Sequence, residues 1–206
     1  VEAVKLHCEP NGQFPHNPEP LKQHLTDLSK KVVAAHADFG IAVDPDVDRL
    51  AFMDEKGQMF GEEYTLVACA DYILSQRPGN TVSNLSSTRA LRDISEKYGG
   101  SYTASAVGEV NVVNAMKATQ AVIGGEGNGG IIYPESHYGR DALVGVALFL
   151  SLLAERKIAV SALRASYPSY FMSKKKIDLN LSINVDALLE AMQSKYANEN
   201  ISMIDG

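Results

Sequence analysis

Between residues 81 and 157 the sequence changes period again and again, each time at glycine, serine or threonine. TVSNL (81–85), SYTASAV (101–107), AVIGG (121–125) and GIIYP (130–134) read as strands. STRALRDISEKYGG, GEVNVVNAMKAT and RDALVGVALFLSLLAERK read as helices, the first with a Ser or Thr cap and a Gly stop. Strands alternating with helices of this length have one main way to bury both kinds of apolar face, an α/β layer fold. The upstream half has the same grammar. Leu21, Leu25, Leu28 and Val32 lie on one face of a helix expected over 20–35, and FGIAV follows as a strand. RLAFMDEKGQMF reads as strand, turn, strand, and EYTLVACADYILSQ as a helix broken by RPGN. Two α/β units are expected, 1–78 and 79–168. A tail, 169–206, begins something new as strand, helix, strand, with the lysine run 174–176 on a solvated strand edge.

Composition narrows the function classes. A net charge of −6 argues against non-specific nucleic-acid binding, which needs a basic surface to displace counterions. Two cysteines, Cys8 and Cys69, make no disulfide framework, so a reducing cytoplasm is the expectation. The longest apolar run, ALVGVALFLSLLA, is too short to span a bilayer and reads as a buried helix. The opening residues do not resemble a signal peptide. The chain opens on Val1 inside the strand-like run VEAVKL and stops at ISMIDG, which reads as a piece of a longer protein.

The chemistry concentrates in GIAVDPDVDRLAFMDEKG (40–57). An apolar strand delivers Asp44, Asp46 and Asp48 at alternate positions, with Arg49 next. Three carboxylates this close repel one another, which disfavours a merely solvated turn and favours a shared hard cation. Oxygen donors of this number suit Mg²⁺, which keeps its other positions for water or phosphate. A calcium loop matches by arithmetic, with Asp44, Asp46, Asp48 and Glu55 at its first, third, fifth and twelfth positions. It fails at the sixth, where Arg49 replaces the glycine of the sharp turn, and its flanks are strand-like. A haloacid-dehalogenase-type phosphatase, with Asp44 as nucleophile in Asp-x-Asp, is the alternative from another reaction class. Its later acidic pair has no counterpart here.

DPDVDRL resembles the metal-binding loop of the α-D-phosphohexomutases, the phosphoglucomutase and phosphomannomutase superfamily. The resemblance implies that Asp44, Asp46 and Asp48 hold Mg²⁺ and that Arg49 helps neutralise a phosphoryl group in transit. The family commonly has Gly where Pro45 and Val47 stand. Downstream, STRALRDISEKYGG and AVGEVNVVNAMKA resemble the family's third domain, and GGEGNGGIIYPESHYGRDAL its sugar-recognition loop. Glu126 and Asn128 would then hydrogen-bond sugar hydroxyls, with Gly108, Glu109 and Arg140 completing the substrate site. As a plain hairpin, GGEGNGG has the composition of a flexible connection. Gly130 and Asn128 depart from the usual histidine and serine, and Glu109 and Ser86 from the histidine or aspartate and the lysine of some members. These departures bear on which hexose phosphate is bound: glucose, mannose or glucosamine.

By the same resemblance the fold class is tandem three-layer α/β/α units with mixed sheets, plus the beginning of an α+β C-terminal domain. The chain would hold the later part of family domain 2 (1–78), domain 3 (79–168) and the start of domain 4 (169–206). The family's catalytic serine loop and its C-terminal phosphate-binding loop have no counterpart in this sequence. Its implied partners are a hexose phosphate and those missing domains of the same parent chain, with no nucleic acid and no membrane.

Overall fold

The structure is a computed structural model that describes residues 2–173, 178, 180, 183–199 and 201–205. Contacts divide it into two compact units, Val1–Tyr170 and Phe171–Gly206. The strand-like opening run carries no regular element over residues 2–5.

The expected first helix is broken in two. A 3-10 turn at Lys22–His24 precedes helix α1, Thr26–Ala34. The break falls at Leu25, whose ψ of 25° leaves the helical region and whose N–H bonds back to the Lys22 carbonyl. The apolar stripe survives the break: Leu25 and Leu28 pack on Ala42, Ala51, Met53 and Met59.

Strands β1 (Phe39–Val43) and β2 (Leu50–Asp54) pair antiparallel, with Phe39 opposite Asp54 and Val43 opposite Leu50. Every residue of β2 is buried. The period of two explains this: Ala51 and Met53 face α1, while Leu50 and Phe52 face the main core. There Phe52 stacks on Phe149 at 3.7 Å, with Phe60 edge-on to Phe149 at 5.2 Å. Each such fully buried aromatic side chain is worth about 1.5–3 kcal/mol. The expected second strand arm after Gly57 is reduced to one bridge, Met53 to Met59, because the chain turns at Gly61 into the next helix.

That helix, α2 (Glu62–Gln76), buries ten of its residues because it has neighbours on several sides. The order then runs β3 (Thr81–Asn84), α3 (Ala90–Lys97), β4 (Tyr102–Ser105), α4 (Glu109–Thr119), β5 (Ile123–Gly125), β6 (Ile131–Ile132) and α5 (Ala142–Arg156). Helix α6 (Val160–Ala165), which the periodicity did not announce, ends the unit; the Glu55 carboxylate accepts from the Ser161 N–H in its first turn. The expected Ser or Thr cap is not at the cap position of α3, which is Arg89 without a side-chain cap bond; the Thr88 hydroxyl one residue earlier accepts from the Ala90 N–H at 3.3 Å. Gly99, at φ 75°, ends that helix.

The second sheet has the order β4-β3-β5-β6, with β3 parallel to β4 and β5, and β6 antiparallel. Val82 and Ile132 pack on Val112 and Met116 of α4 on one face. Ile123 and Ile131 belong to the core formed with α2, α3 and α5 on the other. Helices on both faces of a mixed sheet make this a three-layer α/β/α unit, as expected. Buried Asp71 of α2 ties the helical layer to the end of the unit, accepting from Tyr98 and Tyr167 hydroxyls at 2.8 Å each and pairing with Arg156 at 2.6 Å.

The second unit contributes helix α7, Val185–Lys195, capped by the Asn184 carboxamide on the Ala187 N–H. Residues 201–205 form no strand, and the lysine run 174–176 lies outside the described residues. Among the described residues, no helix is long and apolar enough to cross a membrane.

Candidate functional site

The loop between β1 and β2 is built around Asp44. Its carboxylate is buried, and Oδ1 accepts from the N–H groups of Asp48 at 3.0 Å and Arg49 at 2.9 Å. The Asp44 carbonyl accepts from Val47 N–H at 3.1 Å, closing the turn. Val47 sits at φ 58°, a conformation β-branched residues avoid. Two contacts hold it there: its carbonyl accepts from the Ala142 N–H of α5 at 3.0 Å, and its side chain packs on the main core. The loop is thereby fastened to the sheet unit downstream.

One oxygen each from Asp44, Asp46 and Asp48 gather within 4.8 Å of one another. Asp48 Oδ1 is buried without a hydrogen-bond partner. A desolvated carboxylate oxygen with no donor is costly unless a cation completes it, so the donor set fits a hard divalent ion of the Mg²⁺ kind. The Arg49 guanidinium folds back over the loop, with Nε 3.5 Å from Asp44 Oδ2 and 3.8 Å from Asp48 Oδ1, and Nη1 3.4 Å from Glu19 Oε1. Glu55, which a calcium loop would need, is engaged elsewhere: Oε1 takes the Ser161 hydroxyl at 2.5 Å and Oε2 the Ser161 N–H at 3.2 Å. Both flanks are strands, not the helices of that motif.

The glycine loop lies beside the aspartates. Leu50 N–H donates to the Gly129 carbonyl at 3.2 Å. Glu126 is buried just past β5, and its acceptor sites are filled from within: Oε1 takes Asn84 Nδ2 at 2.8 Å and Gly108 N–H at 3.3 Å. Oε2 takes Arg140 Nη1 at 2.7 Å and Asn128 Nδ2 at 3.5 Å. A carboxylate has about four such sites, so a sugar hydroxyl reaching Glu126 must displace one of these donors. Arg140 also meets Asp48 Oδ2 through Nη2, and Glu109 through its backbone N–H at 3.1 Å and Nε at 3.4 Å. His137 turns away to Asp141 Oδ2 at 2.9 Å; that contact, with the Leu143 and Val144 N–H groups Asp141 accepts, outweighs burial and holds the Asp141 carboxyl below its usual range.

All nine residues singled out in the sequence therefore meet in one region: Asp44, Asp46, Asp48, Arg49, Gly108, Glu109, Glu126, Asn128 and Arg140. Sequence reading missed Asn84, which orients Glu126, and Glu19, which takes Arg49. Asn84 ends β3, and the chain leaves β3 toward β4 but leaves β5 toward β6 on the opposite side. Ligands of open α/β sheets gather at such a switch point, outside the carboxyl ends of the strands.

Burial pushes the Asp48 carboxyl up to about 6; the Arg140 guanidinium opposes this, while Asp44 and Asp46 add to it. An ordinary unfolded aspartate titrates at about 3.9. The folded chain therefore binds the extra proton between these values, and the cation-free fold loses stability through this group as pH rises across that window. Cation binding needs the ionised form and runs the other way. Affinity for Mg²⁺ is expected to fall as pH drops through about 6, measured by calorimetry at a series of pH values. A flat profile would contradict the assignment of Asp48 as a ligand.

Residues 61–170 match the family description "Phosphoglucomutase/phosphomannomutase, alpha/beta/alpha domain III", and residues 1–57 match domain II of the same family. A "Probable phosphoglucosamine mutase" of Methanopyrus kandleri is 33% identical over 100% of this chain and 46% of its own length. A "Phosphoglucomutase/phosphomannomutase" of Thermococcus kodakarensis is 33% identical over 85% of this chain and 39% of its own. The crystal structure of a phosphoglucomutase/phosphomannomutase family protein from Burkholderia thailandensis superimposes with a TM-score of 0.78 at 28% identity, covering 93% of this chain and 42% of that one. The chain thus spans less than half the length of these relatives. Matches to two successive domains, over more than half of its residues, show that the chain belongs to the phosphoglucomutase/phosphomannomutase family, the α-D-phosphohexomutases.

Proposed function

We propose that this chain supplies the cation loop and the sugar-reading loop of a magnesium-dependent phosphohexomutase, which moves a phosphoryl group between the 1- and 6-positions of a hexose phosphate. The observation that carries the reading is the gathering of Asp44, Asp46 and Asp48 within 4.8 Å, in contact through Arg140 with Glu126 of the glycine loop. Bound Mg²⁺ would offset negative charge on the phosphoryl group in transit. Arg49 would add a guanidinium on the same side, exchanging its contact with Glu19 for phosphate oxygens. Glu126 and Asn128 would take sugar hydroxyls, with Gly108 and Glu109 at the start of α4 bordering the sugar.

On this reading a phosphoserine donates the phosphoryl group, giving a hexose bisphosphate that reorients and returns its other phosphate. The serine loop and a C-terminal phosphate-binding loop would come from further domains of the same parent. The chain would comprise parts of three domains, divided as 1–78, 79–168 and 169–206, in a cytoplasmic enzyme of carbohydrate metabolism.

The test is an NMR titration of the labelled chain with glucose 1,6-bisphosphate in the presence of Mg²⁺. Shifts at Gly108, Glu109, Glu126 and Asn128 are expected, and shifts that avoid all four would contradict the reading. The chain alone is expected to show no interconversion of glucose 1-phosphate and glucose 6-phosphate in a coupled assay. Turnover would show that the proposed serine domain is unnecessary.

A further inference from the structure

We infer that Arg140 is a resident countercharge, which competes with the cation for Asp48 and transmits cation occupancy to the glycine loop. The inference rests on the proposed reading of Asp44, Asp46 and Asp48 as cation ligands.

The arrangement is asymmetric. Asp48 Oδ2 is held by Arg140 Nη2, whereas Asp48 Oδ1 has no hydrogen-bond partner. The same guanidinium holds Glu126 Oε2 at 2.7 Å, and its Nε lies 3.4 Å from Glu109 Oε2 without forming a hydrogen bond. Only 15% of the Arg140 side chain is exposed. One desolvated cation thus serves three carboxylates from three separate parts of the chain: the metal loop, the start of α4 and the glycine loop.

A divalent ion on Asp48 places a second positive centre beside the guanidinium. At this separation and in a poorly solvated site, their repulsion is several-fold larger than in water. Arg140 then gives up Asp48 and keeps Glu126 and Glu109, which alters the donors around the very carboxylate assigned to the sugar. By linkage the effect is reciprocal: anything that draws Arg140 away from Asp48, such as an anionic sugar phosphate, strengthens cation binding. Arg140 is a positioning residue in this account, acting through Asp48 and Glu126.

The test follows the labelled 206-residue chain by NMR during a MgCl₂ titration, with calorimetry on the Arg140→Met variant. In the unsubstituted chain, Mg²⁺ should shift the amides of residues 44–49 together with the Arg140 side-chain Nε–H and the amides of Gly108, Asn128 and Gly130. In Arg140→Met, Mg²⁺ affinity should rise by about tenfold, the factor set by losing one adjacent like charge worth roughly 1.4 kcal/mol. Arg77→Met, which removes an exposed pair with Glu135, should leave the affinity unchanged.

Shifts confined to 44–49, or unchanged or weakened affinity in Arg140→Met, would overturn the inference while leaving the cation loop intact. No shift at 44–49 would remove both. Should Arg140→Met fail to fold, the titration of the unsubstituted chain decides alone.

Discussion

Replacing Asp44 by alanine is expected to cost the fold about 1–3 kcal/mol and to abolish Mg²⁺ binding in the millimolar range. The stability loss comes from two backbone donors, the Asp48 and Arg49 N–H groups, which lose their shared acceptor; each orphaned donor in a buried setting costs on the order of 1–3 kcal/mol, less where water can reach it. The cation loss follows from the proposed ligand set, in which Asp44 is the member that backbone hydrogen bonds position. Asp46→Ala separates the two effects. Asp46 is exposed, so its removal should leave stability within about 0.5 kcal/mol while lowering cation affinity by roughly tenfold or more, since Mg²⁺ is held by few carboxylates. Urea denaturation and calorimetry on both variants read the pair. Equal destabilisation by the two would mean that the loop is held by something other than the Asp44 hydrogen bonds.

Gly129→Ala is expected to cost about 3–4 kcal/mol, as the sum of backbone strain and overpacking. Gly129 sits at φ +91°, and an added Cβ would lie 2.2 Å from the Leu50 carbonyl oxygen. Neither partner can retreat. Leu50 begins the fully buried strand β2, and its N–H is bonded to the Gly129 carbonyl. Gly12 provides the contrast: it too has positive φ, but a Cβ there meets nothing within 4 Å. Gly12→Ala should cost only about 1 kcal/mol, the left-handed penalty alone. A shift in the urea midpoint at Gly129 no larger than at Gly12 would show that the two loops are not in backbone contact.

These expectations show where sequence sufficed. The clustering of Asp44, Asp46 and Asp48 was legible because carboxylates at alternate positions just past an apolar strand are brought together by the turn that follows. The three-layer fold was legible because each strand and helix carries its own period, as Ile131 and Ile132 do by facing opposite layers. What stayed hidden depends on pairs distant in sequence. Asn84 looks like any polar strand end until β5 brings Glu126 beside it, 42 residues on. Arg140 sits just before a helix, and nothing local announces that its guanidinium crosses to Asp48. The break at Leu25 was hidden for the opposite reason: the apolar stripe runs straight through it, since packing constrains side-chain spacing more than backbone continuity.

Val47 joins the two kinds of information. The family resemblance places glycine at that spacer, and the positive φ observed there gives the physical reason. Here packing on the core and the bond to Ala142 hold a valine in the same conformation. The aspartate loop is thus anchored through α5, the helix that begins two residues after Arg140.

The central claim is that Asp44, Asp46 and Asp48 together hold a divalent cation. Anomalous diffraction from crystals of this chain grown with Mn²⁺, which takes the same oxygen donors, tests it most directly. The account predicts a single strong peak in the loop, coordinated by oxygens of all three aspartates, with Arg140 Nη2 withdrawn from Asp48. A loop without a peak, or a peak coordinated by Glu55 in place of Asp48, would contradict it.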